Sequence, residues 1–332
     1  MMVFDKYILI TGGAGFIGSH LVKSFVMKYK NYFIINLDKL TYASDLNYLK
    51  DIEGNDNYYF LKGDVCDSIL LDNLFSKFPI DYIIHLAAES HVDNSIKNPI
   101  NFIHTNILGT VNLLEVARKN WANSSKRNLF YNISTDEVYG SLGKHGLFTE
   151  KSSYSPNSPY SASKASADHF IRAYGKTYDL PFIISNCSNN FGPHQHFEKL
   201  IPLTINCIRN GKNIPIYGKG DSVRDWIYVL DHVEAVDIIF HYGKIGDTYN
   251  VGASNEWENL ALVEKICDLV DEKAGTKNSR DLISFVKDRP GHDMRYAIDS
   301  SKISDELNWK PKYSMNKGLS LTIDWYLSKP PS

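Results

Sequence analysis

Tyr160-Ser161-Ala162-Ser163-Lys164 sets a phenol and an ammonium four residues apart, on one face if the segment is helical. An ammonium beside a phenol favours the phenolate, lowering a pKa that starts at about 10. A phenolate in that position can take a hydroxyl proton while hydride leaves the same carbon. Alone, Tyr-x-x-x-Lys is an ordinary feature of a surface helix. A second group changes its meaning. Ile133-Ser134-Thr135-Asp136-Glu137-Val138-Tyr139-Gly140 follows an apolar run and falls at the carboxyl edge of a sheet, where ligands bind. Thr135 can hydrogen-bond a reacting hydroxyl. Asp136 and Glu137 supply one acid and one base if their surroundings separate their pKa values. Taken singly, Asp-Glu in a loop is a solvated pair.

These groups need a partner for the hydride, and residues 11–18 point to one. Thr-Gly-Gly-Ala-Gly-Phe-Ile-Gly follows Tyr7-Ile8-Leu9-Ile10 directly, with Gly12, Gly15 and Gly18 in G-x-x-G-x-x-G spacing. A strand that turns sharply into a helix needs residues without a Cβ. Backbone N–H groups at the helix start can then hold a pyrophosphate. Asp38 lies 20 residues past Gly18, after a second apolar run at 32–37, where a carboxylate accepts hydrogen bonds from an adenosine ribose. Strand, glycines, helix, strand and acid in that order predict a dinucleotide site. The carboxylate would repel a 2′-phosphate and only Lys39 follows it, so the expected cofactor is NAD.

Short apolar runs at 7–10, 32–37, 58–61, 82–87, 129–133 and 181–185 alternate with helix-length segments at 19–29, 69–78, 100–119 and 161–178. Such alternation implies a parallel sheet with helices on both faces, whose strands read as continuous apolar runs. After residue 186 the pattern loosens into a polar turn-rich stretch at 186–194. Helical patterns return at 201–210, 231–241 and 257–275, and short helices broken at Pro311 at 300–327. Strand patterns recur at 226–229 and 248–251. The expected fold is a Rossmann-type doubly wound parallel sheet with a smaller mixed α/β C-terminal lobe. Residues 1–186 form the NAD-binding part, with 225–250 returning to it, and 187–224 with 251–332 form the substrate lobe.

At 332 residues the chain can bury a large core, and a net charge of −2 gives no field to recruit nucleic acid or an anionic membrane. Cys66, Cys187, Cys207 and Cys267 are scattered without a C-x-x-C pair, as in a reduced, cytoplasmic protein with no zinc site. No apolar stretch reaches the ~18 residues of a membrane span, and no signal peptide is readable. His85 lies in an apolar run and reads as packing. His194 and His196 resemble a metal pair, but no carboxylate or thiol spacing supports one.

The glycine triplet, the segment Thr135 to Gly140 and the Tyr160/Lys164 pair together resemble the extended short-chain dehydrogenase/reductases, and more narrowly the nucleotide-sugar 4,6-dehydratases. The likeness extends to Leu86-Ala87-Ala88-Glu89-Ser90-His91-Val92-Asp93, Asn186-Cys187-Ser188-Asn189-Asn190, Glu198-Lys199-Leu200-Ile201-Pro202 and Asp288-Arg289-Pro290-Gly291-His292-Asp293. Thr-Asp-Glu is the specific element, because the sugar epimerases of the superfamily lack the acid pair.

The resemblance implies an internal redox elimination. Tyr160, supported by Lys164 and Thr135, takes the proton from the sugar 4-hydroxyl while hydride passes from C4 to NAD. Glu137 removes the acidified C5 proton, Asp136 protonates the departing C6 hydroxyl, and hydride returns to C6. The implied substrate is a nucleoside-diphosphate hexose, dTDP-glucose ahead of UDP-glucose. One methyl separates the two bases, a difference worth roughly 1–3 kcal/mol. Carried over on the same ground, Gly12, Gly15, Phe16, Ile17, Gly18, Asp38, Lys39, Leu40, Thr41, Asp64, Val65, Leu86, Ala87, Ala88, Ser90, Thr105 and Asn190 would line the cofactor, with Tyr160 and Lys164. Glu89, Thr135, Asn189, Lys199, Leu200, Pro215, Ile216, Tyr217, Arg224, Asn259, Arg289 and His292 would line the nucleotide sugar. Relatives pair through two long helices, so a homodimer is expected.

Overall fold

The computed structural model describes residues 4–122 and 127–329. Seven strands form the main sheet: β1 (Lys6–Thr11), β2 (Tyr32–Asp38), β3 (Tyr58–Lys62), β4 (Tyr82–His85), β5 (Leu129–Thr135), β6 (Phe182–Cys187) and, from later in the chain, Thr248–Val251. Every pairing is parallel, in the order Thr248–Val251, β6, β5, β4, β1, β2, β3. This is a doubly wound sheet, and its order reverses between β1 and β4, where a crevice opens.

Both faces of the sheet are covered. Ile8, Leu9 and Ile10 are fully buried, yet Ile8 and Ile10 pack into one cluster and Leu9 into the other. That split is the two-residue period of a strand buried on both sides. Burying each such side chain is worth about 1.5–3 kcal/mol. Helix α1 (Phe16–Lys28) lies on the first face. Helices α2 (Ser68–Lys77), α5 (Gly109–Trp121) and α6 (Pro159–Tyr178) lie on the second, where Leu71, Leu113 and Ile171 join Leu9. Between α2 and α5 come α3 (Val92–Lys97), α4 (Pro99–Phe102) and a wider π turn, Ile103–Leu108. The apolar pattern at 100–119 therefore corresponds to three joined segments rather than one regular helix.

The β1–α1 turn depends on its glycines. Gly12 has φ +74°, and a Cβ there would meet the Ala87 backbone nitrogen at 2.7 Å. A Cβ at Gly18 would meet the Gly12 carbonyl oxygen at 2.1 Å.

Beyond β6 the chain builds a smaller lobe from β7 (Asn189–Phe191), α7 (Leu200–Arg209), β8 (Ile214–Tyr217) and β9 (Val223–Tyr228). Helix α8 (Val229–Tyr242) and strand β10 (Thr248–Val251) then return to the main sheet. The lobe resumes with β11 (Glu256–Glu258), α9 (Asn259–Ala274), β12 (Ile283–Val286), α10 (Ser301–Leu307) and α11 (Met315–Leu327). Strand β9 pairs with β7 and β11 in a separate sheet, so the return begins at 229 rather than 225. Helix α10 also departs from the lobe, since Ile303 packs in the same cluster as α1 and α8. The lobe core joins α7, α9 and α11 through Ile205, Ile266 and Leu319. Among the described residues, no helix is long and apolar enough to cross a membrane.

Candidate active site

Strand β5 ends at Thr135, and Asp136–Tyr139 form one tight turn. The Thr135 hydroxyl accepts from the Glu137 N–H at 3.3 Å and donates to Asp136 Oδ1 at 3.4 Å. Asp136 is 1% exposed, and its Oδ2 has no hydrogen-bond partner among the described residues. Burial, reinforced by the Glu137 charge, raises the Asp136 carboxyl well above the usual range. Burial also raises Glu137, but Arg224, Arg289 and Lys199 all favour its anion. Burial raises both, but it favours the proton of Asp136 more strongly, while Glu137 has three cations to support its charge.

Helix α6 opens with a reciprocal cap between Ser158 and Ser161 and with Pro159 in its first turn. That start sets Tyr160 and, one turn on, Lys164 in the lining of the crevice. Lys164 is 5% exposed and its Nζ donates to the Ile133 carbonyl at 2.9 Å. The expectation that Lys164 lowers the Tyr160 pKa is not met by the protein groups alone. Burial pushes the phenol well above its usual value, and the Glu137 charge adds to that, while a Thr135 hydrogen bond opposes it. The reason is that Lys164 spends its ammonium on the β5 backbone and is itself held down by burial.

A groove runs from the β1–α1 turn to these residues. It is lined by Gly12, Gly15, Phe16, Ile17, Gly18, Asp38, Lys39, Thr41, Asp64, Val65, Leu86, Ala87, Ala88, Glu89, Ser90, Thr105 and Asn190, and ends on Thr135, Asp136, Glu137, Tyr160 and Lys164. Leu40 is the exception. It lies outside the lining, its side chain packed against the core and its N–H donating to Asp38 Oδ1 at 2.8 Å.

The groove fits NAD. A Cβ on Gly15 would meet only the Gly12 carbonyl oxygen, at 3.3 Å, leaving bare backbone at the start of α1. No side chain caps that helix end, so its N–H groups are free for a pyrophosphate. Asp38 accepts from Ala14 N at 2.8 Å, Leu40 N at 2.8 Å and Ser44 Oγ at 3.0 Å, which leaves capacity on a carboxylate of about four acceptor sites. Lys39 is paired with Asp64 at 2.7 Å, so it is not free to meet a 2′-phosphate.

A second chamber opens beyond Glu137. Lys199, Leu200, Pro215, Ile216, Tyr217, Arg224, Asn259, Arg289 and His292 line it, and it shares Glu137, Asn189 and Lys199 with the groove. Glu89 and Thr135 border the groove only. Arg224 is 5% exposed and donates to the carbonyls of Val223 at 2.7 Å and Asp293 at 2.8 Å, with its guanidinium 4.3 Å from the centre of the Tyr296 ring. It makes no ion pair among the described residues: its hydrogen bonds go to neutral carbonyl oxygens, and Glu137 favours its charge from a distance. Such a site suits a diphosphate. Arg289 meets Asp93 at 3.5 Å, and Asp93 also accepts from the Tyr217 hydroxyl at 3.0 Å. His292 sits between Asp288 at 2.7 Å and Ser222 at 3.4 Å, its pKa lowered by burial.

Glu198, Gln195 and Cys187 in the groove, and Asp93, Trp226 and Tyr296 in the chamber, were not picked out from the sequence. Glu198, Asp93 and Cys187 carried a signal, since all three fall inside segments that bear the family likeness. Tyr296 carried none. Among the described residues no cluster suited to a metal ion occurs. His194 stacks on Tyr48 and His20, and His196 faces Glu198 at 3.6 Å. His85 is a satisfied core residue, bonded to Thr11 at 2.7 Å and Thr110 at 3.0 Å.

A family model described as GDP-mannose 4,6 dehydratase matches residues 9–322. The chain belongs to that family. This 4,6-dehydratase family member is 52% identical over 335 residues to the dTDP-glucose 4,6-dehydratase of Salmonella typhimurium, covering 97% of this chain and 92% of the relative. It is 48% identical over 330 residues to that of Haemophilus influenzae, covering 96% and 97%. Among solved structures it is similar to the dTDP-glucose 4,6-dehydratase of Bacillus anthracis in complex with NAD (TM-score 0.87, 45% identity, 97% of this chain and 96% of that one). It is similar also to the enzyme of that name from Streptomyces venezuelae with NAD and dTDP bound (0.89, 39%, 97% and 97%). The Thermotoga maritima UDP-glucose 4-epimerase has a TM-score of 0.85 at 27% identity. Fold alone therefore does not separate dehydratase from epimerase, and the residues at the site must.

Proposed function

We propose that this protein is an NAD-dependent dTDP-glucose 4,6-dehydratase, a hydro-lyase that makes dTDP-4-keto-6-deoxyglucose. The observation that carries the reading is the unlike pair Asp136 and Glu137, one whose proton burial favours and one whose anion three cations support, beside Tyr160 where groove and chamber meet. Bound in the groove, NAD would supply the acceptor for the C4 hydride and its return to C6, so none is consumed. Tyr160, its own proton released to solvent as the phenolate forms beside Lys164, takes the proton of the 4-hydroxyl, which Thr135 orients. The resulting ketone acidifies C5–H, and Glu137 removes that proton. Asp136 gives its own proton to the C6 oxygen, so that water leaves rather than hydroxide, and Glu137, its proton exchanged with solvent, protonates C5 as hydride reaches C6. Arg224, Lys199 and Arg289 hold the diphosphate.

Residues of the main sheet act as the cofactor part and the β7–β9 and β11–α9 elements as the sugar part. The four cysteines are free thiols, which supports a cytoplasmic setting. We also read the protein as a homodimer. Ile100, Ile103, Leu108 and Phe170 are 42–56% exposed along the α4–α6 surface, more apolar side chains than one helical face left to water usually shows. Sedimentation at micromolar concentration should give twice the chain mass, and a monomer alone would refute the dimer.

The test of function is direct. Protein purified without added cofactor should retain NAD rather than NADP and dehydrate dTDP-glucose unaided. UDP-glucose should react less well, by roughly 10- to 200-fold for one methyl. Retained NADP, or a product of unchanged mass, would refute the assignment.

A further inference from the structure

Asp168 is fully buried, one turn beyond Lys164 on α6. Its Oδ1 accepts from Asn132 Nδ2 at 2.8 Å, and its Oδ2 accepts from Ser134 Oγ at 2.7 Å and the Tyr154 hydroxyl at 3.0 Å. Lys164 donates to the carbonyl of the residue between those two donors, Ile133. The helix therefore grips three consecutive residues of β5, and the next three are Thr135, Asp136 and Glu137. We infer that Asp168 is a positioning residue for the reaction: it locks the helix of Tyr160 and Lys164 in register with the Thr-Asp-Glu turn and keeps the Lys164 ammonium charged. This rests on the assignment of Tyr160 and Lys164 given above.

The other groups around Lys164 cannot supply that charge. His85 of β4 is neutral, its pKa driven to about 3 by burial. Cys187 of β6 keeps its thiol proton, its pKa pushed up by burial to about 12. On the turn after β5, burial favours the proton of Asp136, and Glu137 answers Arg224, Arg289 and Lys199. Tyr160, on the same helix, holds its proton at rest. Asp168 is the carboxylate that favours the Lys164 cation against burial. Burial raises its own pKa, and against that Lys164, the Ser134 and Tyr154 hydrogen bonds and Arg172, which donates to the Tyr154 hydroxyl at 3.2 Å, all favour its anion. A buried carboxylate with three donors and two cations nearby is built to stay ionised.

Asp168→Asn keeps the size and one acceptor but removes the charge. Without that anion Lys164 loses its proton at lower pH, so the alkaline limb of the kcat/KM profile should move down by about 1–3 pH units. NMR titration of isotope-labelled lysine, with Lys164 assigned by its absence in Lys164→Arg, should read the same shift without turnover. A residue of purely structural importance would lower the thermal midpoint and leave both readouts in place, and that result would overturn the inference. Should Asp168→Asn fail to fold, Ser134→Ala with Tyr154→Phe strips two hydrogen bonds from the carboxylate. That variant should shift the limb the same way by less, and an unmoved limb would again overturn the inference. An active Tyr160→Phe would refute the underlying assignment. An inactive Tyr160→Phe with an unmoved limb in the Asp168 variants would refute this inference alone.

Discussion

Glu137→Gln should arrest the protein between oxidation and elimination, with dehydrated product falling by roughly 10²–10⁴. Gln nearly matches Glu in shape but cannot accept a proton at neutral pH. Removal of the 4-hydroxyl proton does not involve Glu137, so reduced-nicotinamide absorbance should rise on adding dTDP-glucose and persist. Exchange of the C5 proton with solvent should cease. Asp136→Asn should differ in kind, because Asp136, buried so that its proton is favoured, is assigned to the departing oxygen. There C5 exchange should continue while loss of water slows. If both variants stall before any reduced nicotinamide forms, the separate acid and base roles are wrong. The pair would then shape the pocket and no more.

Tyr160→Phe removes the proton acceptor for the first step and should cost roughly 10²–10⁴ in rate, or about 3–5 kcal/mol of barrier. Unlike Glu137→Gln, it should show no build-up of reduced nicotinamide. Folding and NAD retention should be nearly unchanged, since Phe keeps the ring and loses the hydroxyl bonded to Thr135, while Ser158 and Ser161 cap that helix. Near-normal turnover would mean that another group takes the 4-hydroxyl proton.

Much of this architecture can be read from local pattern. Runs such as Tyr7 to Ile10 are apolar at every position because both faces of the sheet are covered, and the glycine spacing follows from a turn that leaves no room for a Cβ. What could not be read depends on distant residues meeting. Val223–Tyr228 looks like any other strand, and only its partners β7 and β11 place it in the smaller sheet. Nothing local distinguishes Asp136 from Glu137. Their difference comes from which one faces cations drawn from positions 199, 224 and 289. The same holds for Tyr160, whose spacing from Lys164 suggested a lowered pKa while burial raises it. Asp168 reads as a polar helix residue until β5 is seen to wrap it in donors. Leu40 shows the converse: adjacency to Asp38 and Lys39 suggested a groove position, yet its backbone turns the side chain toward the core.

The central claim is that one site oxidises C4, removes the C5 proton, expels the C6 hydroxyl and restores the cofactor in a single cycle. Turnover of dTDP-glucose in deuterium oxide, with no cofactor added, reads all of this in the product. The account predicts a nucleotide sugar lighter by one water, with one deuterium at C5 and none at C6 derived from solvent. A product of unchanged mass, a 4-epimer, or solvent deuterium at C6 in place of the returned hydride would contradict it.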